Sequence, residues 1–427
     1  MPALRRPALL TVAVIGFVIV VTVAGLFGAG AFGYGHLTTT TSVPPVTSPI
    51  QKYAAGSKRV LAAAISSLKV HLPAHEGAPA PVLTPGALRG IRPHQVVGFL
   101  PSYELGSLGS LRLSSYTTIV YSSVDLLASG ALGHGSDGWR RLADGAVGPL
   151  LQAAHRAGTE VLLGLSAVSE SVIGPVTANA DSSAVVLLKS VIPVLQYYGF
   201  DGVDLDVEGQ SASDRQGYSA FVAELSKGLH ATRPSWRLMV NTYPQSVVDP
   251  TGFCDAQALA PSADELFVMA YDMSDLEVPS ATAPLTGAPL SDVSVAASYA
   301  AAGLANKSIL GMPFYGYDFP ASRGRPPAVS TGTAVAVTYD SIVAAGRPAL
   351  WDPVTDTAFS SFRRAGRWHQ TWFDDPVSVA LKTAVAVHYG FLGVGAWEIG
   401  MAVAAPQMTE ALDGGAAVVR LPLAGSS

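Results

Sequence analysis

The chain has 427 residues, 49% hydrophobic and only 13% charged, so it can bury one large core or two ordinary ones and is excluded from the disordered class. A formal net charge of −5, with no basic cluster beyond Arg5-Arg6, Arg140-Arg141 and Arg363-Arg364, argues against nucleic acid as a partner, because phosphate binding needs a concentrated basic face. The single cysteine, Cys254, excludes an intramolecular disulfide and reads as a small buried hydrophobe, and no Cys/His cluster has zinc spacing.

From Pro7 to Gly35 no residue is charged, and the apolar run within this stretch exceeds the about 20 residues needed to cross a bilayer. Arg5-Arg6 would hold residues 1–6 in the cytoplasm and leave the rest outside. Residues 7–35 therefore read as a transmembrane signal anchor, with a cleaved signal peptide as the rival, since Ala29-Gly30-Ala31 has the small-x-small form a signal peptidase accepts. Either route exports the remainder of the chain. Residues 36–94 read as stalk and linker: His36 to Ile50 is rich in Thr, Ser, Val and Pro, Gly56 to Leu72 can form one short helix, and Pro73 to Pro93 is irregular. The globular domain is expected over 95–413, followed by a tail at 414–427.

From Gln95 onward, short β-branched runs alternate with longer helical patterns, the signature of βα units around a parallel sheet. Strands are predicted at Val96–Leu100, Thr118–Val124, Glu160–Leu165, Gly202–Val207, Arg237–Thr242, Glu265–Ala270, Ser308–Met312 and Gly393–Trp397. Helices are predicted at Leu142–Ala157, Ala184–Tyr198, Ser213–Ala231, Ser291–Ala302 and Val377–Tyr389. Eight units make a closed (β/α)8 barrel of the α/β class. The open doubly wound alternative lacks support, because no Gly-x-Gly-x-x-Gly follows the first strand and no Walker loop occurs. Tyr317 to Trp372 is too long for a plain βα connection, so a small subdomain inserted between strands 7 and 8 is expected to raise one wall of the cleft.

The fourth predicted strand carries Asp201, Asp204, Asp206 and Glu208 in the spacing DxxDxDxE. Side chains alternate along a strand, so Asp204, Asp206 and Glu208 share one face, with neighbours roughly 6 to 7 Å apart, while Val203, Leu205 and Val207 line the other. Three carboxyls in file cannot all ionise cheaply in a partly buried site; the row should hold at least one proton near neutrality. In such barrels the active site sits at the C-terminal mouth, where Glu208 ends its strand.

Several motifs resemble glycoside hydrolase family 18, the family of chitinases and related endo-N-acetylglucosaminidases, over roughly Gln95 to Thr409. They are Phe200-Asp-Gly-Val-Asp-Leu-Asp-Val-Glu-Gly209, Met269-Ala270-Tyr271-Asp272, Ile309-Leu-Gly-Met-Pro-Phe-Tyr-Gly316, and Phe373-Asp-Asp-Pro376 with Leu381-Lys382 and Gly393-Val-Gly-Ala-Trp397. Chitinase-type members commonly carry Ser-x-Gly-Gly on the third strand, whereas this chain reads Gly164-Leu165-Ser166-Ala167. The resemblance thus implies the family's chemistry without implying crystalline chitin as substrate.

That chemistry is hydrolysis assisted by the substrate's own 2-acetamido group, with one enzyme acid. Glu208 would be the acid and then the base, Asp206 would bind the acetamide N–H, and Asp204 would share a proton with Asp206. Tyr271 would orient the acetamido carbonyl, Asp272 would steady the sugar or water, and Trp397 would floor the sugar site. Met269, Asn241 and Tyr243 are further cleft candidates, and Asp201, grouped with them, is expected to brace the turn or the row. Trp139, Trp351, Trp368 and Trp372 fit either sugar platforms or packing of the insertion. The expected partner is an N-acetylglucosamine-containing polysaccharide, either chitin oligomers or envelope peptidoglycan, bound by a membrane-tethered or secreted monomer that needs no metal and no organic cofactor. A sugar-binding pseudo-enzyme on the same barrel is the alternative, and the presence of Glu208 counts against it.

Overall fold

The computed structural model describes residues 57–68, 71–83 and 93–414. The charge-free run at 7–35, expected to enter the membrane, lies outside the described residues, as do 36–56 and 415–427. A two-residue strand β1 (Ala78–Pro79) precedes the barrel, which is formed by β2 (Gln95–Pro101), β3 (Thr118–Asp125), β4 (Glu160–Ala167), β5 (Gly202–Val207), β6 (Arg237–Thr242), β7 (Glu265–Val268), β8 (Ser308–Pro313) and, later in the chain, β14 (Gly393–Trp397). These eight strands pair in parallel around a closed ring, β14 joining β2 to β8. Every barrel strand ends within two residues of its predicted bounds. The helix expected at 142–157 is instead two, Asp137–Ala143 and Gly148–Ala157, because Gly145 takes a left-handed φ of 82° between them.

Alternation along each strand sorts the side chains into two cores. Val203, Leu205 and Val207 face outward into the main core shared with the helices, while Val97, Phe99, Val120, Leu162, Met239, Phe267, Met269 and Ile309 fill the barrel interior. Phe267 and Phe99 are the largest of these plugs and meet edge-on at 4.7 Å. The inward positions beside it on β8 and β14 are glycines: a Cβ at Gly311 or Gly395 would lie 2.7 or 2.5 Å from the Phe267 ring. Thus the glycines of the last two barrel strands make room for an aromatic plug beneath the mouth.

The expected insertion is present and larger in reach than its predicted start. After β8, the chain builds β9 (Tyr315–Ala321), β10 (Val335–Thr338), β11 (Leu350–Asp352), β12 (Thr357–Arg364) and β13 (Arg367–Phe373). They form an antiparallel sheet in the order β1-β11-β12-β13-β9-β10. Trp351 and Trp372 are buried in it, Trp372 stacked on Phe359 at 4.9 Å, so these two tryptophans pack the subdomain and are not sugar platforms. Trp368 is covered on one side by the Arg363 guanidinium, 4.6 Å from its ring, and Gly324 lies against the ring as well.

Two segments expected in the stalk and linker belong to the folded body. Helix Ser57–Leu68 buries Val60, Leu61, Ala64 and Leu68 against helices Asp292–Ala301 and Pro376–His388. Strand β1 then pairs with Leu350 and Trp351 of β11. The chain before Gln95 therefore straps the barrel to the insertion, because its apolar stripe finds a partner on the barrel's outer helices. Each fully buried aliphatic side chain is worth about 1.5–3 kcal/mol. A protein starting at residue 93 should accordingly melt at least about 5 °C below one starting at residue 51 in thermal denaturation followed by circular dichroism; coincident melting curves would show that the strap contributes nothing.

Candidate active site

The acid row lies on the inner face of β5, and its neighbours in register decide how each member ionises. Asp204 sits between Gly164 of β4 and Met239 of β6, neither of which brings a side chain able to hydrogen-bond. It is fully buried and, among the described residues, neither carboxyl oxygen has a hydrogen-bond partner. Burial first, and the charge of Asp206 second, push its pKa well above the ordinary carboxylate value, which favours its protonated form. Asp206 lies beside Ser166 and accepts a hydrogen bond from Asn241 Nδ2 at 3.0 Å. That bond opposes the upward shift that burial imposes on it.

Glu208 stands one residue beyond the strand, its N–H held by Ala167 O at 2.8 Å, and its side chain is half-buried at the mouth. Its pKa is driven well above the ordinary value by burial, then by Asp206, then by Asp272. The row therefore runs from a fully buried acid at the bottom to a half-buried acid at the rim. Tyr243 secures the rim: its hydroxyl donates to Gly209 O at 3.1 Å, and its own carbonyl accepts from Tyr299 at 3.1 Å.

Tyr271 and Asp272 follow β7 across the mouth. Asp272 holds a left-handed φ of 51°, a conformation that costs a non-glycine residue about 1–2 kcal/mol, and its N–H bonds Thr282 Oγ1 at 3.3 Å. Its Oδ1 accepts from Thr282 at 2.8 Å and from Tyr317 of the insertion at 3.1 Å, and Tyr315 also bonds it. Although the Asp272 side chain reaches solvent, the cleft walls crowding its carboxyl raise its pKa, and these hydroxyls oppose the rise. Trp397, at the end of β14, is partly exposed and rests 5.4 Å from Phe99, so it caps the column built by Phe267 and Phe99. Met269 packs in the same interior cluster below Tyr271.

The structure thus brings Glu208, Tyr243, Tyr271, Asp272 and Trp397 together at the mouth, with Asp206, Asn241, Met269 and Asp204 buried in the barrel beneath them. Asp201 does not join them. Its Oδ2 accepts from Val161 N and pairs with His155 Nε2, both at 2.8 Å, at the opposite end of β5, about 23 Å of strand away from Glu208. It ties β5 to β4 and to helix Gly148–Ala157, so its grouping with the cleft residues is corrected. Thr282, Tyr315 and Tyr317 are site residues that the sequence reading misses; the alternating Tyr-x-Tyr after β8 is a usable signal, while Thr282 in an irregular loop has none. The Asp374, Asp375 and Lys382 motif is also structural: Lys382 Nζ is buried between Asp374 at 2.5 Å and Asp292 at 3.1 Å, and Asp375 caps the last long helix through Ser378 N. Among the described residues, no group of three or more His, Cys, Asp or Glu is arranged to hold a metal ion.

An acid at the rim whose pKa is raised, a hydrogen-bonded carboxyl below it and an aromatic floor suit proton transfer to a bound ring-shaped substrate. Comparison with known proteins agrees. The family model described as "Glycosyl hydrolases family 18" matches residues 95–402. Di-N-acetylchitobiase of Rattus norvegicus is 24% identical over 273 residues, covering 58% of this chain and 72% of the relative. The cortical fragment-lytic enzyme of Bacillus anthracis is 25% identical over 242 residues, covering 52% of this chain and 54% of the relative, so the chain spans about half of that protein. A GH18 chitinase from Cycas revoluta solved with (GlcNAc)3 superposes with a TM-score of 0.65 at 21% identity, over 75% of this chain and 99% of that one, and the chitinase-like agglutinin of Robinia pseudoacacia does so with the same score at 22%. These two structures share the fold.

The buried acids carry a consequence for stability. Burial raises Asp292 to about 7, Asp356 and Asp375 to about 6 and Glu398 to about 8, and lifts Asp204 and Glu208 as well. Their unfolded counterparts titrate near about 4. A carboxyl whose folded pKa is raised stabilises the fold fully below the unfolded value and loses that contribution as pH climbs through the folded value. The melting temperature should fall between about pH 5 and about pH 8, and a scanning fluorimetry series showing it rise over that interval would contradict the assignment.

Proposed function

We propose, from the premise that the chain belongs to the glycosyl hydrolases family 18 and is a glycosidase, that it cleaves β-1,4-linked N-acetylglucosamine-containing glycans by substrate-assisted, retaining hydrolysis. The observation that carries this reading is the acid row on one face of β5, from fully buried Asp204 through Asn241-bonded Asp206 to Glu208 at the rim, with burial raising the pKa of each. Glu208 donates its proton to the glycosidic oxygen while the acetamido oxygen attacks C1, so the glycosidic bond breaks and an oxazolinium forms. The resulting Glu208 carboxylate then takes a proton from water, which attacks C1 from the face the leaving group vacated and restores the acetamide.

Asp206 accepts the acetamide N–H and steadies the positive charge that develops there. Tyr271 directs the acetamido carbonyl, Asp272 binds the sugar or the water, and Trp397 stacks on the apolar ring face. We further propose that residues 7–35 place the barrel outside the cytoplasm, anchored or secreted. Chitin oligomers and envelope peptidoglycan are both candidate substrates, and the relatives named for chitobiase activity and for cortical fragment lysis give support to each branch.

The full-length chain and its Glu208→Gln variant should be compared on chitin oligosaccharides and purified peptidoglycan, with products read by mass spectrometry. Removing the acid should lower turnover by at least about 10²-fold while the melting temperature stays equal or rises, because the amide keeps the side chain's shape and removes an ionisable group from a half-buried site. Substantial activity in the variant would reject Glu208 as the acid, and binding without cleavage by both proteins would favour a lectin on this barrel. An N-acetylglucosamine thiazoline, which mimics the oxazolinium, should inhibit competitively; indifference to it would count against acetamido participation.

A further inference from the structure

Six of the chain's 26 basic residues other than histidine, all arginines, fall between 323 and 367: Arg323, Arg325, Arg347, Arg363, Arg364 and Arg367. The insertion's sheet gathers them at one end. Strands β12 and β13 turn where Arg364 pairs with Arg367, and β9 ends where Ala321 pairs with Trp368, so the following loop with Arg323 and Arg325 lies at the same end. Arg347, just ahead of β11, places its guanidinium carbon 3.4 Å from the Phe362 ring centroid. This end is the one remote from the points where β9 leaves the barrel and β13 returns to it.

The counter-charges are elsewhere. Asp352 and Asp356 are buried and taken up by Thr355 and Thr286, and Asp340 accepts from Ala404 N near the barrel mouth. Asp318 alone meets the cluster, pairing with Arg364 at 3.0 Å and His369 at 3.1 Å. Among the described residues, the other five arginines make no ion pair with a carboxylate. Of these, Arg347 is held over Phe362 and Arg363 over Trp368, and the paired Arg364 also lies over Phe362. Crowded like charges without partners oppose the fold and are relieved when an anion binds. Guanidiniums resting over rings keep donors available to carboxylate or phosphate oxygens.

We propose that this arginine tip contacts the anionic substituents of a polymeric glycan lying in the cleft, so that the substrate is an N-acetylglucosamine chain bearing carboxylates or phosphates, not a neutral one. The inference rests on the glycosidase reading of the same cleft. The wall that carries the tip starts at Tyr315 and Tyr317, which bond Asp272, and four further residues of β9 separate Tyr317 from the tip, about 13 Å of strand. A polymer spans that distance and a disaccharide does not. A lipid surface fits less well, because Phe362 and Trp368 lie beneath guanidiniums, leaving Val329 as the exposed large apolar residue beside the tip.

The test compares the full chain with Arg325→Gln/Arg363→Gln/Arg367→Gln and with the corresponding triple lysine variant, on carboxymethyl-chitin and on neutral glycol-chitin. At about 0.05 M NaCl the wild type should show a KM for the anionic polymer about three- to tenfold lower than for the neutral one. The difference should vanish in the glutamine variant and in the wild type at about 0.5 M NaCl, with kcat kept, and should be restored in part by lysine. Equal KM values for the two polymers in the wild type, or equal losses on both in the variant, overturn the proposal. So does sedimentation of the wild type, and not the variant, with phosphatidylglycerol vesicles in the absence of polymer discrimination. If neither polymer is cleaved, the glycosidase reading fails; affinity electrophoresis in the two polymers then decides the tip separately, selective retardation by the anionic one sustaining it and equal retardation ending it.

Discussion

The cost of placing charge inside a closed sheet governs this protein. On β5 the apolar residues Val203, Leu205 and Val207 must face the helices, and period-two alternation then forces Asp204, Asp206 and Glu208 into the barrel. The interior offers Asp204 only a glycine and a methionine as register neighbours, so its charged form is disfavoured. Asp206 obtains one donor from Asn241, and Glu208 stands at the edge of solvent with two other carboxyls nearby. A gradient of burial results from depth along one strand, without any exotic residue. The packing beneath supports it: Phe267, admitted by Gly311 and Gly395, fills the barrel below the mouth and lifts the column that Trp397 caps.

The insertion acts on the opposite side of the mouth. Asp272 occupies a strained backbone conformation, and it is held there from two directions, by Thr282 of the following loop and by Tyr315 and Tyr317 of β9. The subdomain is therefore coupled to the chemistry at its base as well as raising a wall. Its own stability is shared with the chain's N-terminal segment, since β1 pairs with β11 and helix Ser57–Leu68 packs on the barrel. The buried Lys382, bridging Asp374 and Asp292, joins the strand leaving the insertion to two outer helices. Breaking such a triad by removing one partner leaves an uncompensated buried charge, which explains why a sequence signature extends to residues that never approach the mouth.

Much of this architecture is legible in the amino-acid sequence. The barrel strands are readable because β-branched runs bounded by turn residues leave little choice of period, and the acid row is readable because carboxyls at every second position have one geometric meaning on a strand. The Met-x-Tyr-Asp segment and Trp397 are readable through the family resemblance. Less can be read where function depends on partners distant in sequence. Asp201 shares the acidic spacing yet binds Val161 N and His155 at the other end of β5; its place before the strand is legible, but these partners lie 40 and 46 residues earlier in the chain. The four tryptophans are equivocal for the same reason: Trp351 and Trp372 are buried only because an antiparallel sheet closes over them.

The arginines show the limit most plainly. Along the chain they read as one pair, Arg363-Arg364, with isolated companions and no larger basic cluster. The turn of β12 into β13 and the register of β9 on β13 bring them to one end of a sheet. By itself the sequence determined the barrel, the inward row of acids and the order of the motifs, because these follow from local periodicity and spacing. Only the tertiary structure decided which acids have their pKa raised, what holds Asp272 and where the positive charge collects, because burial, pKa and surface potential are sums over neighbours that the chain supplies from far along its length.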